Sequence, residues 1–185
     1  VLDAEGNTVK DAVANKGTIE ANQVFLTAGV ARNIFESAVN QTGMIRSTAL
    51  VEENGVIKLT ANRDIKVSGD LEAPNGEVQV TSKENIEIPE ALRTTGKTTL
   101  AADGNVTVKA DVTTTSGDLD LLADADLNGE GSFNQAQGTT LATVNSGDIT
   151  VQSSGESTLA NVNSAGDLIL KQGGAPANFT QQPDS

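Results

Sequence analysis

Residues 96–127 read GKTTLAADGNVTVKADVTTTSGDLDLLADADL, and they repay reading in twos. Val106 and Val108 alternate with Thr107 and Lys109, Leu119 and Leu121 with Asp118 and Asp120, Ala125 and Leu127 with Asp124 and Asp126. Strict alternation over short runs marks strands with one buried face. Gly104-Asn105 and Ser116-Gly117 separate the runs with turn-forming residues. None of these strands can bury a core alone, so each needs copies of itself stacked above and below.

Those copies run through the chain. Gly55-Val-Ile-Lys-Leu59, Asp64-Ile-Lys-Val67, Gly69-Asp-Leu-Glu-Ala73, Gly76-Glu-Val-Gln-Val80 and Asn85-Ile-Glu-Ile88 precede the opening stretch. Gly147-Asp-Ile-Thr-Val151, Ser157-Thr-Leu-Ala160 and Gly166-Asp-Leu-Ile-Leu170 follow it. The leading glycines at 55, 76, 96 and 117 step by 21, 20 and 21 residues, and Gly147 to Gly166 is 19. The step of 30 from Gly117 to Gly147 predicts an insertion near 129–137. A period of about 20 with two or three short strands in each period is one turn of a solenoid. The fold expected is therefore all-β, a parallel β-helix over 1–172. With coils about 4.8 Å apart, roughly eight coils would make a rod about 40 Å long. Residues 1–16 suit a short strand or irregular entry, and 17–21 and 24–28 are the strands that open the repeating form. Residues 30–39 break the period and suit a short helix or loop, and 173–185, GGAPANFTQQPDS, suit a linker or disordered tail. Asn54, Asn75, Asn105, Asn145, Ser116 and Ser146 fall at expected corners.

Composition narrows the chemistry. The 185 residues include 4 Phe and no Trp or Tyr, so the core is one of Val, Ile, Leu and Ala. A net charge of −13 opposes binding to nucleic acid or an anionic membrane. No apolar run approaches the roughly 20 residues of a spanning helix, and no signal segment opens the chain. The start at Val1 fits a fragment or processed chain. With no Cys and no His, thiol nucleophiles, Cys/His zinc sites and imidazole acid–base chemistry are absent together.

The succession Gly17-Thr-Ile-Glu-Ala21, Val24-Phe-Leu-Thr-Ala28, Ala38-Val-Asn-Gln-Thr-Gly-Met-Ile45, Asn54-Gly-Val-Ile-Lys-Leu59 resembles the haemagglutination-activity region of two-partner-secretion exoproteins, the filamentous haemagglutinin-like adhesins of Gram-negative bacteria. The close match covers about residues 15–60; the remainder shares only the coil pattern. The resemblance implies a right-handed parallel β-helix and export through a dedicated outer-membrane β-barrel transporter. It also implies a place outside the cell or on its surface, and adhesion to a host or bacterial cell-surface receptor or matrix. The family's Asn-Pro-Asn motifs are missing, since none of Pro74, Pro89, Pro176 and Pro183 lies between asparagines.

The densest carboxylate group is Asp111, Asp118, Asp120, Asp124 and Asp126. Several carboxylate oxygens suit calcium, but parity points the last four outward as a solvated strand face, and no metal site is expected. Paired carboxylates in a β-helical glycosidase would need basic partners and sugar-stacking aromatics; the arginines are only Arg32, Arg46, Arg63 and Arg93. Gly96-Lys97-Thr98 lacks the upstream glycine of a phosphate loop, position 91 being Ala91. Asn105-Val-Thr107 and Asn178-Phe-Thr180 match the glycosylation acceptor pattern, which the bacterial origin implied by the resemblance makes a coincidence in most cases. Phe25 and Phe35 suit core or cap packing. No catalytic, cofactor-binding or metal-binding residue is assigned. The function expected is an adhesin or structural scaffold, ahead of a self-assembling surface-layer or filament component and of a β-helical polysaccharide enzyme. Ile57, Val78, Val106, Leu119, Ile149 and Leu168 are the expected core stack.

Overall fold

The computed structural model describes residues 2, 8–21, 23–30, 37–47 and 55–182. Within them the chain winds as a three-sided solenoid of parallel strands with no helix. The first coil is β1 (Asp11–Asn15), β2 (Thr18–Ala21) and β3 (Gln23–Ala28); the second is β4 (Ser37–Gln41), β5 (Met44–Ser47) and β6 (Val56–Ala61). The third is β7 (Ile65–Val67) and β8 (Gly69–Ser82), which covers two sides, and the fourth is β9 (Ile86–Ile88) and β10 (Leu92–Ala102), which does the same. The fifth is β11 (Val106–Val108), β12 (Val112–Thr114) and β13 (Leu119–Leu122). The sixth takes β14 (Phe133–Gln135), β15 (Thr140–Thr143) and the first part of β16 (Ile149–Leu159). The rest of β16, β17 (Asn161–Asn163) and the first part of β18 (Leu168–Gln181) complete the seventh, and the end of β18 starts an eighth.

Alternation decides which side chains turn in, and register stacks them. One column runs Val24, Ile57, Val78, Thr98, Leu119, Ile149, Leu168, giving seven levels rather than the eight expected. A second begins Val39, Ile65, Ile86, Val106, Phe133. The third changes character, from Ile19, Ile45 and Leu71 to Thr94, Thr114 and Thr143. A hydroxyl inside needs a partner. Thr98 donates to Thr94 at 2.8 Å, and Thr94 and Thr114 share a hydrogen bond at 2.9 Å.

The expected stack is buried at Ile57, Val78, Val106, Leu119 and Ile149, all fully shielded from water. Leu168 is a correction: it turns inward above Ile149 but is 44% exposed, because no further coil lies on it among the described residues. A second correction concerns the tail. Residues 173–181 are not a linker but the continuation of β18, which pairs with β16 from Gly155↔Ala177 to Leu159↔Gln181. Its Gly and Pro residues fall where the register shifts at a corner, so they mark a bend in a strand rather than its end. Of the segment expected as a helix or loop, 37–39 is strand β4, and 31–36 lies outside the described residues. Phe35 and Asn54 also lie outside them.

Corners are held by residues that repeat from coil to coil. Asn85 accepts from Asn105 N at 2.9 Å, and Asp64 from Asn85 N at 3.1 Å; Asn105 in turn accepts from Ser132 N at 2.9 Å. A second ladder runs from Asp167 N to Asp148 and from Asp148 N to Asp118, at 2.8 and 3.1 Å. The glycines that set the period stack as well. Gly147 has φ +111°, and a Cβ there would lie 2.0 Å from the carbonyl oxygen of Gly117, so side chains are excluded by both backbone conformation and space. The outer faces carry register-matched charges, with Arg46 between Glu20 and Glu72 at 3.2 and 2.6 Å.

Candidate functional site

The regular coils pass from one strand to the next over short corners: three residues, 83–85, join β8 to β9, and three, 103–105, join β10 to β11. At the equivalent corner of the fifth coil ten residues, 123–132, join β13 to β14. This is the insertion expected from the long glycine step, placed a few residues earlier than expected, since Phe133–Gln135 is already strand β14. The loop turns through left-handed backbone at Asp124, Leu127 and Gly129, with φ of 55°, 59° and 92°. It swings its residues off the alternation, so Leu127, expected inside, is 60% exposed.

Asp124 goes the other way. Expected on the outer face, it is fully buried, because the positive φ reverses the parity at the point where the loop leaves the strand. Its carboxylate accepts from Ser154 Oγ at 2.5 Å, from Gly174 N at 2.6 Å and from Gly129 N at 3.1 Å. Its carbonyl accepts from Gln152 Nε2 at 3.1 Å, and its N–H donates to Gly104 O at 3.1 Å. Burial alone would push the Asp124 pKa up, but the hydrogen bonds from Ser154, Gly174, Gly129 and Asn128 together hold it below the ordinary carboxylate value. The carboxylate is satisfied by donors from three separate stretches of chain. A Cβ on Gly173 would lie 2.6 Å from both Asp124 Oδ2 and Ser154 Oγ, so the glycine pair 173–174 is what allows the last strand to close over this carboxylate.

Outside the clasp, the loop roofs a polar cleft of about 410 Å³ whose wall includes Lys83, Asp103, Asp126, Asn128 and Glu130. A neighbouring groove of about 370 Å³ shares Asn85 and Asn105 with it and is edged by Lys66, Glu87 and Lys109. Opposite charges neutralise most of these walls. Lys83 pairs with Asp103 at 2.9 Å, Arg63 with Glu84 at 2.6 Å, and Lys109 with Glu87. The hydrogen bond to Asp103 raises the Lys83 pKa. Asp126 holds the loop itself by accepting from Asn128 Nδ2 at 3.0 Å. Among the described residues, the pKa values of Arg46 and Lys83 are raised, each first by a hydrogen bond to its carboxylate partner, and that of Asp124 is lowered.

The five aspartates singled out in the sequence do not meet. Asp111 accepts from Thr140 N at 2.8 Å at one corner, Asp118 supports Asp148 at another, Asp120 faces outward 3.7 Å from Lys97, Asp124 is inside and Asp126 lies on the loop. Among the described residues, no three His, Cys, Asp or Glu are grouped so as to hold a metal ion. Phe25, expected in packing, is an outward residue, 56% exposed. Of the two glycosylation-type motifs, Asn105 is engaged in the corner ladder, while Asn178 is exposed. Among the described residues no helix is long and apolar enough to cross a membrane.

Comparison with known proteins adds one similarity. No protein-family model matches this chain and no solved structure matches it. Over 99 residues, 51% of the chain, it is 29% identical to a heme/hemopexin-binding protein of Haemophilus influenzae, and the shared stretch is 10% of that protein's length.

Proposed function

We propose that this chain is a rigid coil segment of a secreted bacterial surface exoprotein, where it works as an adhesin and structural scaffold and reaches the surface through a two-partner outer-membrane β-barrel transporter. The observation that carries this reading is the closed interior. Six levels of buried aliphatic and threonine side chains, from Val24 to Ile149, leave most of the polar chemistry on outer faces and corners, at spacings set by the coil rise. Such a body holds polar surfaces at fixed distances from one another. The similarity to an H. influenzae heme/hemopexin-binding protein supports a secreted, host-facing setting.

Haem binding itself does not transfer with that similarity. Haem iron is held by His, Cys, Met or Tyr, and this chain has no His, Cys or Tyr and a single Met, Met44. Its contribution is to display, not to ligate. Nor does the paired, open cleft beside the insertion offer an aromatic platform for a sugar ring, so we assign no polysaccharide-cleaving step to it.

The test is in-frame removal of this segment from the full-length exoprotein, with export verified by surface labelling. Loss of attachment to host or bacterial cells while export persists is the expected result. Unchanged adhesion, biofilm formation and cell contact with export intact would refute the adhesin role, and loss of polysaccharide turnover would replace it with an enzymatic one.

A further inference from the structure

We propose that the cleft roofed by the insertion, continued by the groove that shares Asn85 and Asn105 with it, is a docking site for an extended arginine- or lysine-bearing segment of a partner protein. The proposal rests on the adhesin reading and gives a chemistry to the partner that this reading leaves open. Three observations carry it.

The first is that the wall is fixed in advance. Behind the cleft, Asp124 ties the insertion to Ser154 and Gly174. On the cleft side, Glu130 N donates to Asn128 Oδ1 at 2.7 Å and Ser132 N to Asn105 Oδ1 at 2.9 Å. The backbone on both sides of Glu130 is therefore held, and little ordering is left for the binding step.

The second is which polar groups remain unused. Asn85 Oδ1 accepts from Asn105 N and Asn105 Nδ2, and Asn85 Nδ2 donates to Asp64. Asn105 Oδ1 and Asn128 Oδ1 serve the backbone, and Asn128 Nδ2 serves Asp126. The amides are spent on the fold. Lys83 pairs with Asp103 and Glu84 with Arg63, whereas among the described residues no lysine or arginine pairs with Asp126 or Glu130. What the cleft has to spare is carboxylate acceptors, and a charged donor meets them best.

The third is that the wall already seats an ammonium. Lys83 stands 2.9 Å from Asp103, whose hydrogen bond and charge raise its pKa, and the charge of Asp126 adds to the rise. The chain's own lysine thus reports a field that favours positive charge inside the cleft.

The shape of the guest follows. The carboxylates come from separate coils and do not converge as a metal-ligand set. A guest with its charges strung along a chain meets them one at a time, and a guanidinium fork can take two parallel bonds from a single carboxylate. The groove alongside carries balanced charge, Lys66 and Lys109 against Asp64 and Glu87, and receives the uncharged remainder of an extended backbone. A neutral glycan fits less well, because no aromatic ring lines either space and the amides that would bond its hydroxyls are engaged.

The experiment is fluorescence anisotropy of labelled tetra-arginine titrated with the full chain at about 0.15 M salt, where attraction to the net charge is screened beyond about 8 Å. Saturable binding is expected. Glu130→Lys should raise the Kd at least about fivefold. Glu90→Lys makes the same change in net charge at an exposed corner between β9 and β10, and should alter the Kd less than about twofold. Should Glu130→Lys fail to fold, Glu130→Gln and Glu90→Gln decide, with a smaller loss in the first and none in the second. No binding of tetra-arginine overturns the proposal. Equal weakening at positions 130 and 90 overturns it too, leaving only general attraction to an acidic rod. Displacement of the peptide by cellotetraose would assign the cleft to a neutral glycan instead. None of these readouts depends on adhesion: peptide binding with unchanged adhesion on removal of the segment sinks the adhesin role alone, and lost adhesion without peptide binding sinks the docking site alone.

Discussion

Replacing Asp124 by Ala tests whether the insertion is fastened to the coils or merely lies against them. The substitution removes the acceptor for Ser154 Oγ, Gly129 N and Gly174 N together. Ser154 is buried, so its hydroxyl loses a charge-assisted bond and finds no water; an unsatisfied buried donor costs about 1–3 kcal/mol. Gly174 is at an exposed corner and recovers hydration, so its loss is smaller. The sum is about 2–4 kcal/mol. Asp124→Asn should cost nearly as much, because its amide group would set a donor against the donors that Oδ2 now accepts. Ser154→Ala, which deletes one bond and leaves the carboxylate its glycine amides, should cost about 1 kcal/mol. A solenoid opens locally, so the loss is read as faster hydrogen exchange over 123–132 and 173–181, alongside urea unfolding of the chain. The pH dependence has a definite sign. A carboxylate whose folded pKa is depressed adds stability above its unfolded pKa, and that stability fades as pH falls through the folded value. The native protein should therefore lose protection of these two segments in the acid range while Asp124→Ala shows little further change. Wild-type exchange in both Asp124→Ala and Asp124→Asn would refute the clasp.

The remaining expectations follow from burial, backbone and charge. Leu119→Asp, at a fully buried position, should unfold the coils around it at a cost of several kcal/mol, whereas Asp120→Ala, outward and 3.7 Å from Lys97, should stay within about 0.5 kcal/mol. Thermal melts of the pair that coincide would show the inward and outward assignments to be wrong. Gly147→Ala should cost more than about 1 kcal/mol because its Cβ would meet Gly117 O, and Gly155→Ala, with φ +77° but open space around it, should cost less; a reversed order in urea midpoints defeats the stacked-glycine argument. Millimolar calcium should leave the melting temperature within a degree or two, whereas a specific site at 100 times its dissociation constant would add about 2.7 kcal/mol.

Most of the architecture was legible because a solenoid repeats its constraints. Gly55, Gly76, Gly96, Gly117, Gly147 and Gly166 mark a corner whose backbone stacks on itself, and a corner that admits only hydrogen at one level admits only hydrogen at the next. Alternation then gave the inward face of Val106, Leu119 and Ile149. It failed at Asp124, where a positive φ reverses parity; no local pattern distinguishes that aspartate from Asp120, and its partner Gly174 is 50 residues away. The tail was misread for a related reason. Gly173, Gly174 and Pro176 look like a linker by composition, but the small residues are what fit against Asp124 and Ser154. Leu168 has the sequence of a core residue and the inward orientation of one; only its missing neighbour leaves it wet. The cleft beside the insertion had no signature, since Lys83, Asp103 and Asp126 each come from a different coil.

The insertion of the fifth coil leaves the stacking untouched: Leu119 still sits over Thr98 and beneath Ile149, and Val106 still lies beneath Phe133. The corner is ten residues long where its neighbours have three, and the rod grew no longer. Reach in this molecule is counted in turns, each worth about 4.8 Å whatever the number of residues it contains. Corners are therefore free to acquire loops and the cleft-forming side chains they bring, while the distance between one displayed surface and the next stays graduated like a ruler. Changing that distance takes a whole coil gained or lost, which makes span and surface chemistry separately adjustable in a single chain.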